Sequence, residues 1–333
     1  MHRHALTYRT FGNPLETLNM ETAEMPELSA NKLRVSMLCA PVNPSDLIPI
    51  HGAYSHRIAL PAVAGYEGVG RVMEAPQAYA SLIGKRVLPL RGEGTWQTLV
   101  DCDSALAVPV PDDIPDAVAA RAYINPLAAL TMLEMWPVRG KRVLLTGAGS
   151  NCAEYLGTWA YQHGAREVIG VYRSESRAAR LEQLGIRPLS LQDTSQITHV
   201  ARVSDVVFDA LGGPVASNIL QSMAPGAMFI AYGLLTGQAA QLDGKPRAHY
   251  GRFHLRDSLA RMPADTWQHQ FLAIWKLLSQ LEMPNYRVFA WQDWQRAVEA
   301  VLQPQSQKPP GPGLPVVRKR PPAEPQVGWS AGT

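Results

Sequence analysis

The stretch RVLLTGAGSNCAEYLGTWA, Arg142–Ala160, decides the fold of this 333-residue chain. Its opening residues read as a strand, which runs through Gly147 and Gly149 straight into a helix. In that order the glycines allow a tight turn and a close approach of backbone to a pyrophosphate, which then rests on the positive end of the helix. The third glycine of the usual G-x-G-x-x-G pattern is absent, and Ala153 stands in its neighbourhood. Outward from this point the same order repeats: EVIGVYR, SDVVFDALGG and GAMFIAYG are apolar strands separated by helical stretches. Strands alternating with helices predict parallel βαβ units and a doubly wound Rossmann sheet, an α/β fold.

The end of the second strand bears on which dinucleotide fits. A site for an unphosphorylated ribose wants an acidic residue there, about 20 residues past the glycines. This sequence has VYRSESRAAR, in which Tyr172, Arg173 and Ser174 close the strand and Arg177 follows one helical turn later. Arginine beside a hydroxyl suits a 2′-phosphate through charge-assisted hydrogen bonds, so the expected cofactor is NADPH. Gly212, Gly213 and Gly233 end the next strands at the carboxyl edge, where ligands bind in open α/β sheets. They read equally well as ordinary strand-to-helix turns. Asn125, Ser150 and Tyr232 complete the expected cofactor set.

The first third has another texture. KLRVSMLCAPV, GVGRVMEA, GKRVLPL, GTWQTLVDC and ALAVPVP are short β-runs broken by Gly and Pro, which predict a barrel-like or partly open β-domain. The length allows two domains with a core each. The expected division is a β-rich catalytic domain beginning at 1–123, an NADPH-binding domain at 124–270 and a Pro-rich tail at 304–333. The tail carries eight prolines in thirty residues and no periodic apolar face, and is expected to be disordered. It also holds Lys308, Arg318, Lys319 and Arg320 against Glu324, which accounts for the whole net charge of +3. The body is therefore neutral, and no nucleic-acid partner is expected. No window approaches the roughly 18 apolar residues of a membrane span, so no membrane partner is expected either. Cys39, Cys102 and Cys152 are far apart and odd in number, which fits buried residues in a reducing, cytoplasmic compartment.

Two phrases of the β-rich part carry more: VNPSD at Val42–Asp46 and GYEGVG at Gly65–Gly70. Together with the cofactor half they resemble the medium-chain dehydrogenase/reductase superfamily over roughly residues 1–303. The resemblance implies a GroES-like catalytic domain to which 271–303 returns. It also implies a homodimer joined near RAHYGRFHLRDSL. Zinc-dependent members carry a cysteine where Asn43 stands and a histidine where Tyr66 stands, and the four cysteines of their structural zinc lobe are missing here too. No metal is expected. Without a Lewis acid, the feasible substrates are those that spread their own negative charge, an alkene conjugated to a carbonyl or a quinone.

VNPSDLIPIHGAYSHRIALPAVAGYEGVG, with GTWQTLV at Gly94–Val100 and INPLAALTML at Ile124–Leu133, is similar to the zinc-free branch of trans-2-enoyl-thioester reductases and quinone oxidoreductases. The resemblance assigns the proton donor to Tyr54, a phenol of ordinary pKa about 10. It places Asn43 near the nicotinamide and the substrate carbonyl as a hydrogen-bond donor, and Trp96 as a pocket wall. Asp46 and Glu67 read as structural, and His51 and His56 as solvated loop residues flanking Tyr54. Arg57, Arg252, Arg256 and Arg261 are the candidate cations for a CoA carrier. The branch ends in a short apolar strand after the helix at Trp294–Leu302, whereas here PQSQ leads into the tail, as a shifted reading frame near Gln307 would give. The closing strand is therefore expected to be lost. The expected function is NADPH-dependent reduction of an enoyl thioester or a quinone; the alternative is a non-catalytic NADPH-binding protein or an inactive copy with an altered C-terminus.

Overall fold

A computed structural model describes residues 1–53, 55–242, 244–281 and 286–302, and the backbone of 314–318. The chain divides into two compact units, Met1–Arg121 with Ser279–Thr333, and Ala122–Leu278. No helix among the described residues is long and apolar enough to cross a membrane.

The second unit holds six parallel strands in the order Arg187–Ser190, Glu167–Tyr172, Arg142–Leu145, Val206–Asp209, Met228–Ala231 and His249–Arg252. The chain starts in the middle at Arg142–Leu145, builds outward on one side, then returns to build on the other. That reversal is a topological switch point, beside which ligands bind at the carboxyl ends of such strands. The inner strands are largely apolar, as in a parallel sheet covered on both faces, and Leu144, Ile169, Val207 and Phe229 are all fully buried. The helix Ala264–Leu278 stays with this unit entire. Trp267 and Phe271, one helical turn apart, pack on each other at 4.9 Å between ring centroids, and Trp267 packs on Tyr123 at 5.5 Å. The passage back to the first unit therefore comes at Ser279, after that aromatic face is buried, rather than at residue 271.

The first unit contains a three-stranded sheet, with His2–Tyr8 between Leu18–Glu24 and Ala62–Val63. A seven-stranded sheet runs Tyr286–Ala290, Leu314–Arg318, Lys32–Pro41, Val69–Glu74, Arg86–Leu88 and Val108–Pro109, and Leu99–Asp103 also pairs with Lys32–Pro41. Leu33, Val35, Val72, Val87 and Val100 form the core of this sheet. A second cluster joins Leu6, Leu47, Ile50 and Trp96 to Trp294 and Val298 of the helix Trp294–Leu302.

The expectation for the tail needs correction. Leu314–Arg318 is a strand, parallel to Tyr286–Ala290 and antiparallel to Lys32–Pro41, with Val316 opposite Pro41, Val317 opposite Ala40 and Arg318 opposite Cys39. The closing strand is present, supplied from within the Pro-rich segment. Composition averaged over thirty residues hid it, since LPVVR has one proline, near its start, and two β-branched residues suited to a pleated strand. The rest of the tail, 303–313 and 319–333, lies outside the described residues.

Candidate active site

In the first unit the strand Lys32–Pro41 delivers Val42 and Asn43 to the head of the short helix Pro44–Leu47. Pro44 takes the first helical position, where its missing N–H is not needed. Asp46 then reaches back: Oδ2 accepts the Asn43 backbone N–H at 2.7 Å, and Oδ1 accepts the Tyr66 backbone N–H at 2.9 Å. One carboxylate thus ties VNPSD to GYEGVG. The Asn43 amide Nδ2 donates to Glu67 Oε1 at 2.8 Å. Asn43, Asp46 and Glu67 are each 2% exposed or less.

Because the Glu67 carboxylate accepts and does not donate, it turns the Asn43 amide nitrogen toward itself. The atom left without a hydrogen-bond partner among the described residues is the acceptor Oδ1. Trp96 is 2% exposed and its Nε1–H donates to the Pro41 carbonyl at 3.0 Å, so it is a fixed wall holding the strand end that carries Asn43. Tyr66 is 42% exposed, and His51 and His56 are exposed as well. Among the described residues no group of three His, Cys, Asp or Glu side chains is placed to hold a metal. Tyr54 lies outside the described residues.

Burial pushes the Asp46 carboxyl up to about 7, with the Glu67 charge adding to it and the backbone N–H groups of Asn43 and Tyr66 opposing it. The folded state therefore holds a proton that the unfolded chain releases at its ordinary carboxylate pKa of about 3.9. The stability this proton confers is present below about pH 4 and is lost as pH rises toward 7. Denaturant melts across this range are expected to show the gap between the wild type and Asp46→Ala narrowing from pH 4 to pH 7. A gap that widens with pH would contradict this.

In the second unit Gly147 has φ 58°, a region that favours glycine, and the Ala148 N–H bonds the Val171 carbonyl at 3.0 Å, which ties the turn to the second strand. Ser150 caps the helix Asn151–Gln162, its hydroxyl accepting the Ala153 N–H at 3.4 Å. Ala153 itself is fully buried. The close packing of helix on sheet comes one turn later, at Gly157, where a Cβ would lie 2.4 Å from Ile186 Cδ1. The turn therefore keeps the two glycines that admit a phosphate and shifts the packing glycine to Gly157, which the sequence reading missed. A Cβ on Gly149 would meet the Arg177 side chain, at 3.0 Å from Cγ. This cradle at the head of a helix fits the pyrophosphate of a dinucleotide.

Asn125, Ser150 and Tyr232 gather at the same helix head. The Asn125 carbonyl accepts from Cys152 Sγ at 3.8 Å. The Tyr232 hydroxyl is buried beside Ser150 and Cys152. Burial raises this phenol well above its ordinary pKa and pushes the Cys152 thiol up to about 12, so both keep their protons. Arg173 and Ser174 stand exposed at the end of the strand Glu167–Tyr172, and the Tyr172 hydroxyl donates to Glu175 at 3.1 Å. Gly212 and Gly233 serve approaches of the chain to itself, since a Cβ on Gly212 would lie 2.1 Å from the Gln238 carbonyl oxygen and one on Gly233 2.7 Å from that of Ala210. Gly213 has φ 62° and its N–H donates to that Gln238 carbonyl at 2.7 Å. In this unit two buried acids, Asp209 and Glu154, escaped the sequence reading. Asp209 accepts from Thr146 Oγ1 at 2.6 Å and from the Gly212 N–H at 2.9 Å, which fixes that turn, and Glu154 pairs with Arg180 and Arg177. Their signal is an acid inside an otherwise apolar run, VVFD and CAEYLG.

Residues 29–112 match the family model of the alcohol dehydrogenase GroES-like domain. The mitochondrial enoyl-[acyl-carrier-protein] reductase of Rattus norvegicus is 28% identical over 326 residues, 91% of this chain and 86% of its own. A solved structure from Bacillus thuringiensis, provisionally named an NADPH:quinone reductase, is 33% identical, with a TM-score of 0.89 over 96% of this chain and all (100%) of its own. The complex of Etr1p with NADP and crotonyl-CoA shares the fold at 18% identity, with a TM-score of 0.80 over 96% of this chain and 100% of its own. The chain belongs to the medium-chain dehydrogenase/reductase superfamily, in its branch of enoyl reductases and quinone oxidoreductases.

Proposed function

We propose that the protein is a zinc-independent, NADPH-dependent reductase of conjugated carbonyl compounds, with enoyl thioesters or quinones as substrates. The observation that carries this reading is the buried Asn43–Glu67 hydrogen bond at 2.8 Å, an amide and a carboxylate engaged with each other where zinc-dependent members place a thiolate ligand. The cofactor assignment is supported by the glycine turn at Gly147 and Gly149 and by Arg173 and Arg177 beyond the second strand. NADPH, when bound, supplies the hydride for the β-carbon of the substrate. The chain's own residues do the rest: Tyr54 donates the proton that completes the α-carbon, Asn43 orients the substrate, and Trp96 holds the strand end that carries Asn43. The strand Leu314–Arg318 fills the place between Tyr286–Ala290 and Lys32–Pro41, which supports an active protein over an inactive copy without its closing strand.

The test is NADPH consumption by the purified protein, offered a trans-2-enoyl-CoA and a quinone side by side, with NADH as control. Silence on both in a protein that binds NADPH would sink the enzymatic reading. Tyr54→Phe is expected to lower kcat on the thioester by about a hundredfold or more, the range for losing a general acid. On a quinone the same change is expected to cost far less, because hydroquinone oxygens take protons from water.

Two lesser assignments belong to the same reading. His249–Arg252 is the edge strand of the second unit's sheet and Tyr250 on it is 52% exposed, which supports a homodimer formed by pairing these edges. Light scattering at twice 36.5 kDa is the expected result, and a monomer would remove the assignment. Three free, buried cysteines suit a reducing compartment, and cell fractionation would check the proposed cytoplasmic location.

A further inference from the structure

Glu67 is a carboxylate kept in the interior of the first unit, 1% exposed, where burying a charge is unfavourable unless hydrogen bonds offset it. Its Oε1 accepts the Asn43 Nδ2–H at 2.8 Å. The backbone around it is held by two other segments. The Thr95 hydroxyl, itself on a residue 1% exposed, donates to the Glu67 carbonyl at 2.7 Å, and the Thr95 N–H bonds the Gly65 carbonyl at 3.1 Å. Asp46 Oδ1 accepts the Tyr66 N–H at 2.9 Å. The Glu67 carboxylate therefore meets Asn43 from a backbone that is fixed before and after it.

A side-chain amide has two ends of nearly the same size, one donating and one accepting, and it can turn by half a circle about its last bond. A neutral polar neighbour would accommodate either end. A carboxylate accepts and does not donate, so Glu67 admits only the orientation in which Nδ2 faces it. That nitrogen carries two N–H groups, of which Glu67 engages one. We propose that Glu67 is a positioning residue of the reaction: it acts through Asn43, fixing the amide so that the second N–H is kept for the substrate, while Thr95 and Asp46 hold Glu67 in place. The inference rests on the reading of Asn43 as the residue that orients the substrate. It names what keeps Asn43 itself oriented, and gives a reason for a charge in the interior of this unit.

The experiment compares the full-length wild type with Glu67→Gln, Glu67→Asp, Asn43→Ala and the double variant Asn43→Ala with Glu67→Gln. For each, kcat and KM are measured with NADPH on a trans-2-enoyl-CoA and on a quinone, and the ligand-free thermal midpoint is recorded. Glutamine has the shape of glutamate and no charge to bury, so the midpoint of Glu67→Gln is expected to equal or exceed that of the wild type. It presents a donor as well as an acceptor and no longer dictates which way the amide faces. Its kcat is therefore expected to fall about tenfold, the size of one hydrogen bond to a charged group, with KM within about twofold. Glu67→Asp keeps a pure acceptor but leaves a methylene-sized gap, so it is expected to melt below Glu67→Gln and yet to turn over faster. In the Asn43→Ala background Glu67→Gln is expected to lose no further turnover, because the residue it acts through is gone. Turnover that follows the thermal midpoints, a wild-type kcat in Glu67→Gln, or a loss from Glu67→Gln that persists undiminished without Asn43 overturns the proposal. If Asn43→Ala does not fold, the opposed order of stability and turnover in the glutamine and aspartate variants decides. A wild type silent on both substrates defeats the underlying reading, and the proposal with it.

Discussion

Ending the chain after Leu302 is expected to unfold the seven-stranded sheet of the first unit. The strand Leu314–Arg318 lies between Tyr286–Ala290 and Lys32–Pro41, paired with both. Its removal opens two edges at once and strips partners from Cys39, Ala40 and Pro41, the residues that lead directly into Asn43. Val317→Pro tests the same contact with a single atom's logic, since proline removes a ladder N–H from a strand with neighbours on both sides. A loss of about 3 kcal/mol is expected for the point variant, equivalent to roughly 10 °C in the melting midpoint, and more for the truncation. Melts followed by circular dichroism would show it. A truncated chain that melts with the full-length protein would mean that the strand contributes nothing, and that the sheet ends at Lys32–Pro41.

Gly65→Ala is expected to be the most damaging single methyl in the first unit. Gly65 has φ 90°, and a Cβ there would lie 2.2 Å from Trp96 Cδ1 and 2.6 Å from its Nε1. The indole cannot retreat. It is packed with Leu6, Leu47 and Trp294, its Nε1–H is bonded to Pro41, and its backbone N–H is bonded to the Ala64 carbonyl at 2.9 Å. Left-handed backbone strain and overpacking together give an expected loss of about 3–5 kcal/mol. Gly84→Ala is the control: φ is 78° but nothing lies within 4 Å of the added methyl, so only the backbone cost of about 1 kcal/mol remains. If the two variants lose similar stability, the clash with Trp96 is not what demands glycine at position 65. A displaced Trp96 would also release the Pro41 carbonyl, so substrate turnover should fall further than stability alone explains.

Much of the architecture was legible along the chain. Apolar runs such as RVLL and VVFD, each followed by glycine and then a helical stretch, announce a parallel sheet because both its faces are covered. VNPSD and GYEGVG drew attention to one site, and the structure puts Asn43, Asp46 and Glu67 in one buried cluster. The direction of the Asn43 amide was not legible, because it is set by a carboxylate twenty-four positions away. Nor was the service of Gly157 in place of Ala153, which depends on where Ile186, just ahead of the strand Arg187–Ser190, arrives.

The sequence by itself determined the two kinds of domain, the glycine turn and the cationic end of the second strand, since each is a matter of residue type at short spacing. Only the tertiary structure decided that LPVVR is a strand, that Arg177 rather than Arg173 covers Gly149, and that Trp96 has no polar atom to spare. The reason is the same in all three. Five residues with one proline carry too little local preference to choose a conformation, and a side chain's partner across the fold leaves no periodic trace in the chain. Val317 becomes a strand residue because Ala40 lies opposite it, and only folding brings the two together.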